Sequence, residues 1–164
     1  MSERCEEVRI RIKSVRYEVE ASLFSEESDD LFRRMGDGQT PEPEVIEIHS
    51  VGALEQKDGR VELSYDETEV TGMEGSRTAV SFSESASGVV SMIREGMVST
   101  VLIFEEGKRH HCVYNTPIMP FEVCVHTLKV DNRLREDGVL LLDYIVEIRG
   151  AQAERTKFQM EILK

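Results

Sequence analysis

The chain has little cysteine, little proline and no long apolar run. Cys5, Cys112 and Cys124 are odd in number and match no zinc or redox spacing, which argues against a disulfide scaffold. Four prolines in 164 residues leave no proline-rich tract, and 40% apolar with 32% charged residues is a globular composition. Nothing approaches the ~20 uninterrupted apolar residues of a membrane helix. The opening residues "MSERCEEVRIRIKSVRYEVE" alternate charged and apolar side chains and lack the apolar centre of a signal peptide, so the expected location is the cytoplasm. Clustered basic residues are missing too. The net charge of −12 argues against nucleic acid, because a phosphate-backbone binder needs grouped Lys and Arg to release counterions. Phosphate loops, metalloprotease spacings, internal repeats and helix-period segments are likewise absent, so no cofactor is expected.

The negative charge is concentrated in the first half: residues 1–75 hold 20 acids against 9 bases, and residues 76–164 hold 12 against 11. Much of the excess falls in "EVEASLFSEESDDLFRRMGDGQTPEPEVIE". The stretch at about 19–44 reads as a flexible acidic insertion with one short helical turn near Leu31 and Phe32. It is either a solvated insertion or a surface for a basic protein partner.

From Val45 onward the dominant period is two. "VELSYDE" sets Val61, Leu63 and Tyr65 on one face, and "RTAVSFS" does so with Thr78, Val80 and Phe82. "FEVCVHTLKV" sets Phe121, Val123, Val125 and Thr127 against Glu122, Cys124 and His126, and "VLLLDYIVEIRG" aligns Leu140, Leu142, Tyr144 and Val146. Turn residues fall between the runs at Lys57-Asp58-Gly59, Gly72 to Gly75, Ser87-Gly88, Glu95-Gly96, Glu106-Gly107, Asp137-Gly138 and Gly150. About ten strands result. The first spans residues 8–18 and changes phase between Ile12 and Val15, which predicts a bulge near Lys13 and Ser14. So many consecutive hairpins favour one all-β domain over residues 1–164, a closed antiparallel up-and-down barrel of about 8–10 strands.

From about Gly52 to the C-terminus the chain resembles the YwiB-like family of uncharacterised bacterial proteins, grouped under a domain of unknown function. The residues that carry the resemblance are "LSYDE" (63–67), "MIREG" (92–96), "LIFEEG" (102–107), "YNTP" (114–117), Thr127 and "LLLDYIVEIRG" (140–150). Met119-Pro120 stands where the family carries an aromatic-glycine pair, and the acidic stretch looks like an insertion. The resemblance implies a lipocalin-like (calycin) barrel in a bacterial cytoplasm and brings no activity with it.

Several polar residues share the apolar phase. Tyr65 and Glu67 follow Val61 and Leu63; Arg94 follows Val90 and Met92; Thr127 follows Val125; and Tyr144 follows Leu142. An inward arginine needs a partner, because an isolated buried charge is very costly, and Glu67 is the carboxylate whose phase supplies one. With Tyr114 these six form either a polar end to a cavity or a buried network that closes the barrel. In the first case the protein is a non-enzymatic binder of a small amphiphilic or anionic ligand, in a cavity lined by Leu63, Val80, Phe82, Met92, Leu102, Val123, Leu142 and Phe158. Two rivals stand beside it. One is an interaction module with a filled barrel and an acidic partner-binding loop; the other is an enzyme that uses Glu67 as general base.

"RHHCVYNT" (109–116) offers a weaker site. A hairpin centred on Ile118 would set Cys112 opposite Cys124 and His110 opposite His126, gathering zinc-type ligands. The apolar phase opposes this by assigning Cys124 and His126 to the outer face, so a solvent-facing stripe is the favoured reading and no metal is expected.

Overall fold

The computed structural model describes residues 4–19, 43–67, 75–148 and 152–163. The acidic stretch falls almost wholly outside them, as do the expected helical turn at Leu31-Phe32 and most of the turns at Gly72–Gly75 and Gly150.

The alternating runs form ten strands: β1 (Arg4–Val19), β2 (Glu44–Lys57), β3 (Arg60–Asp66), β4 (Arg77–Ser83), β5 (Ala86–Glu95), β6 (Ser99–Glu105), β7 (Arg109–Asn115), β8 (Pro120–Arg133), β9 (Val139–Ile148) and β10 (Gln152–Leu163). Each pairs antiparallel with its neighbours in sequence, and β1 pairs with β10 to close the barrel. No helix among the described residues is long and apolar enough to cross a membrane. Closure follows from the sequence pattern, since ten half-apolar strands leave no face that could stay wet on both sides. The architecture is consistent with a lipocalin-like barrel.

Turn chemistry sets the register. Lys57 pairs with Arg60 around Asp58-Gly59, both with positive φ (51° and 78°), the backbone that a two-residue hairpin with native twist requires. The β6–β7 hairpin turns at Gly107 (φ 78°). Beyond that turn the wall is loosely joined: β6 and β7 pair only at Ser99–Asn115 and Thr100–Tyr114. The hairpin is held instead by β8, where Gly107 N donates to Thr127 O (2.9 Å) and Thr127 N to Lys108 O (3.1 Å).

The expected bulge at Lys13-Ser14 is not there. β1 keeps one register with β10 from Arg9 to Val19 and with β2 from Arg4 to Arg16. Ser14 is buried in phase with Ile10 and Ile12, so Val15 lies on the other face. Pairing on both edges outweighs the preference of one valine for the interior. The register does shift at Phe82/Ser83 and at Thr127/Lys129, neither of which the apolar pattern marks.

Inside, the residues expected to line a cavity form the packed core. Leu63, Val80, Phe82, Met92, Leu102, Val123, Leu142 and Phe158 are all buried in one cluster with Ile10, Val61, Phe104, Leu140 and Met160. Each fully buried side chain of this kind contributes roughly 1.5–3 kcal/mol. The rings of Phe104 on β6 and Tyr144 on β9 touch on the inner face with centroids 4.5 Å apart, and both are buried, so side chains fill that section of the barrel.

Candidate functional site

Two cross-strand rows carry the inward polar groups. The first runs from Tyr65 on β3 through Thr78, Arg94 and Thr100 to Tyr114 on β7, each residue paired in register with the next. The second runs from Thr127 on β8 through Tyr144 and Thr156 to Arg16 on β1. Because side chains alternate, one inward residue per strand places its in-register neighbours inward as well. Thr78, Thr100, Thr127 and Thr156 are all buried, as small β-branched hydroxyl residues that fit between the larger ones.

Glu67 extends the first row. Its N–H donates to Ser76 O at 2.8 Å, which carries the β3–β4 pairing past Asp66 and holds the side chain inward. The carboxylate accepts from Thr78 Oγ1 at 2.7 Å, and Thr78 Oγ1 in turn accepts from Arg94 Nε at 3.2 Å. The Arg94 guanidinium also lies 3.5 Å from Glu67 Oε1, with the two side chains 12% and 2% exposed. The pairing that the strand phases require is therefore present, with Thr78 as the joint. Removing one partner of such a pair costs about 3–5 kcal/mol, because the other charge stays buried. Glu67 Oε2 and Thr100 Oγ1 are enclosed without a hydrogen-bond partner among the described residues.

Arg16 stands at the end of the second row, 3.8 Å from Glu154 on the more exposed side. Together with Ser14, Tyr65, Glu67, Arg94 and Tyr144, above a floor of Ile12, Met92 and Phe158, it borders a space of about 40 Å³. That volume holds one or two waters or a group of similar size. Two guanidiniums face it against one enclosed carboxylate, since Glu154 is not among the residues that border it.

The tyrosines respond to this setting. Burial pushes the Tyr144 hydroxyl up to about 12; Tyr114 adds to the effect, while Arg94, Arg16 and a hydrogen bond with Thr156 oppose it. Burial and the charge of Glu67 raise Tyr65 further still, against Arg94. Tyr114 is raised by burial and held back by Arg94 and Arg16. All three hydroxyls remain protonated donors at neutral pH.

Four of the six expected residues border this space, Tyr65, Glu67, Arg94 and Tyr144, whereas Tyr114 pairs with Thr100 one strand beyond Arg94 and stands outside it. Thr127 faces inward but does not border the space; its hydroxyl accepts from Glu105 N at 3.3 Å and braces the β6–β7 hairpin. Sequence reasoning missed Arg16, Ser14, Thr78 and Thr156. Continuing the Ile10, Ile12 phase by four residues finds the first two.

The His110, Cys112, Cys124 and His126 group does not assemble. The hairpin register is one residue away from the expected one: Cys124 opposes His111, His126 opposes Arg109, and Cys112 opposes Val123. A one-residue slip exchanges the two faces, so Cys112 is buried inside while Cys124 lies on the outer wall. Burial raises both thiols, which works against a thiolate ligand or nucleophile. His110 instead lies 3.4 Å from Glu105. Burial lowers the His126 pKa, Arg109 adds to this, and Glu147 opposes it.

Fold and site together define a closed, ten-stranded antiparallel barrel with a packed centre and one charged, hydroxyl-rich end. A scan against protein families matches the domain of unknown function DUF1934 over residues 33–160, and the chain belongs to that family. Its fold is similar to the crystal structure of the ywiB protein from Bacillus subtilis (TM-score 0.62, 20% identity, 96% of this chain and 94% of the other covered). No curated protein matches the chain.

Proposed function

We propose that this protein is a non-enzymatic binding barrel whose polar end receives a small anionic group, a carboxylate or a comparable monoanion, beside Arg16 and Arg94. One observation carries the reading: two arginines border the small space against one enclosed carboxylate, because Glu154, the partner of Arg16, stands outside it. Hydroxyl donors on Tyr65 and Tyr144 suit the orientation of an oxygen ligand. The packed centre narrows the ligand, because an apolar tail would have to displace Met92 and Phe158. A small acid, or the acidic head of a larger molecule, suits the space.

Glu67 makes a poorer general base, since Oε1 already accepts from Thr78 and faces Arg94 while Oε2 is enclosed. The free thiols of Cys5, Cys112 and Cys124 favour a reducing compartment, hence the cytoplasm.

Calorimetric titration with acetate, lactate and phosphate tests the proposal. Arg16→Gln is the informative variant, because Arg16 is partly exposed and its loss strands no buried charge. Binding of a monocarboxylate that weakens at least tenfold in Arg16→Gln, with unchanged melting, supports the reading. No binding of any of the three, or equal binding by both proteins, refutes it.

A further inference from the structure

The wall of the barrel is closed least well between β6 and β7. Among the described residues these two strands stand in register at two positions, while every other neighbouring pair does so at six or more. The turn explains the gap. Lys108 N donates to Glu105 O (2.9 Å), and of the two residues between them Gly107 has positive φ (78°) while Glu106 does not. This is the pattern of a type II turn, whose twist splays the strands it joins, unlike the paired positive φ values at Asp58-Gly59. Register compounds the splay. The turn sets Glu105 opposite Lys108 and the far end sets Thr100 opposite Tyr114, so β6 advances five residues where β7 advances six. One residue of β7 has no place in a continuous ladder.

Other groups fill the seam. In a regular two-residue hairpin the Glu105 N–H would bond back to Lys108 O. Here it donates to Thr127 Oγ1 (3.3 Å), and Lys108 O accepts from Thr127 N (3.1 Å). Farther along, the buried Cys112 side chain hydrogen bonds with the Ile103 backbone, a sulfur contact in the place of a ladder bond. Leu102 and Phe104, on either side of Ile103, are buried in the core. We infer that the β6–β7 seam is a lateral gate, which opens while the rest of the wall stays paired and gives small molecules access to the interior at Leu102, Phe104 and Cys112. Opening breaks few bonds. β6 stays paired with β5 over six positions and β7 with β8 over seven, so neither strand leaves the sheet. A segment held by so few backbone bonds opens well below the free energy of global unfolding.

Thiol labelling tests the inference. Cys5→Ser combined with Cys124→Ser leaves Cys112 as the one thiol, probed with a bulky aromatic disulfide that reacts by exchange. Labelling is expected to be roughly 100-fold faster than global unfolding permits and nearly independent of low urea, because a local opening exposes little surface. Thr127→Val removes the hydroxyl that holds Glu105 and should speed labelling about tenfold, while Thr127→Ser, which keeps it, should not. Hydrogen exchange of the unaltered chain gives a second reading: seam-facing amides of residues 101–105 and 109–113 should exchange before those of β3 and β4. Labelling that follows urea with the full slope of global unfolding overturns the inference. So does an unchanged rate in Thr127→Val, or exchange at the seam no faster than in β3 and β4. If Thr127→Val fails to fold, the urea slope and the exchange order still decide.

Discussion

Thr78 lets a cation and an anion share a nearly dry interior without direct hydrogen bonding. It donates to Glu67 and accepts from Arg94, so the buried pair gains directional bonds on both sides of one hydroxyl. The pair was legible in the sequence, because period two assigns Arg94 and Glu67 to the interior and burial cost then demands that they meet. Arg16 was not, because a branched residue at 15 suggested a phase change that pairing with β2 and β10 overrides. Tyr144 supplies a pH test at this scale. Folding favours its neutral form, so its folded pKa of about 12 exceeds the ordinary value of about 10. The unfolded chain then releases a proton that the folded chain keeps, and stability that is full below pH 10 is lost as pH rises from about 10 to about 12. Denaturant unfolding at pH 9 to 12 should give a falling stability, and Tyr144→Phe should flatten part of that fall. An unchanged slope in the variant contradicts the assignment. Tyr65 adds to the slope in the same direction.

Strand existence was legible at the scale of elements because alternation survives in nearly every run; register was not. The β7–β8 turn is one residue away from the symmetric guess about Ile118, and that single step separates Cys112 from Cys124. Apolar pattern fixes which face is inward but not which residues stand opposite, and turn geometry decides the latter. Gly96 shows how a turn reaches the site. A Cβ there would lie 2.8 Å from Ser76 Cα, and Ser76 O is the acceptor that holds the Glu67 N–H. Gly96→Ala is expected to cost about 1–3 kcal/mol by forcing this approach apart. A Cβ on Gly88 meets nothing within 4 Å, so Gly88→Ala serves as the neutral control. Thermal unfolding of the two variants distinguishes them, and equal melting temperatures would remove Gly96 from the account.

The closed barrel of the whole molecule was the most legible feature, since ten amphipathic strands joined by short turns have few other ways to bury one face. How full the barrel would be was less so. Apolar residues at inward positions are equally compatible with a cavity and with a core. Only the packing of those side chains into one buried cluster distinguishes them. The polar end is left with a space the size of one or two waters and an excess of guanidinium around it. The most direct measurement is near-atomic electron density at this end, from crystals grown with and without acetate. Density for a carboxylate within hydrogen-bond reach of Arg16 or Arg94, with the Arg94–Glu67 pair intact, is the expected result. If acetate crystals show only water there, and Arg16 turns outward to Glu154 alone, the polar end is a plug and not a receptor.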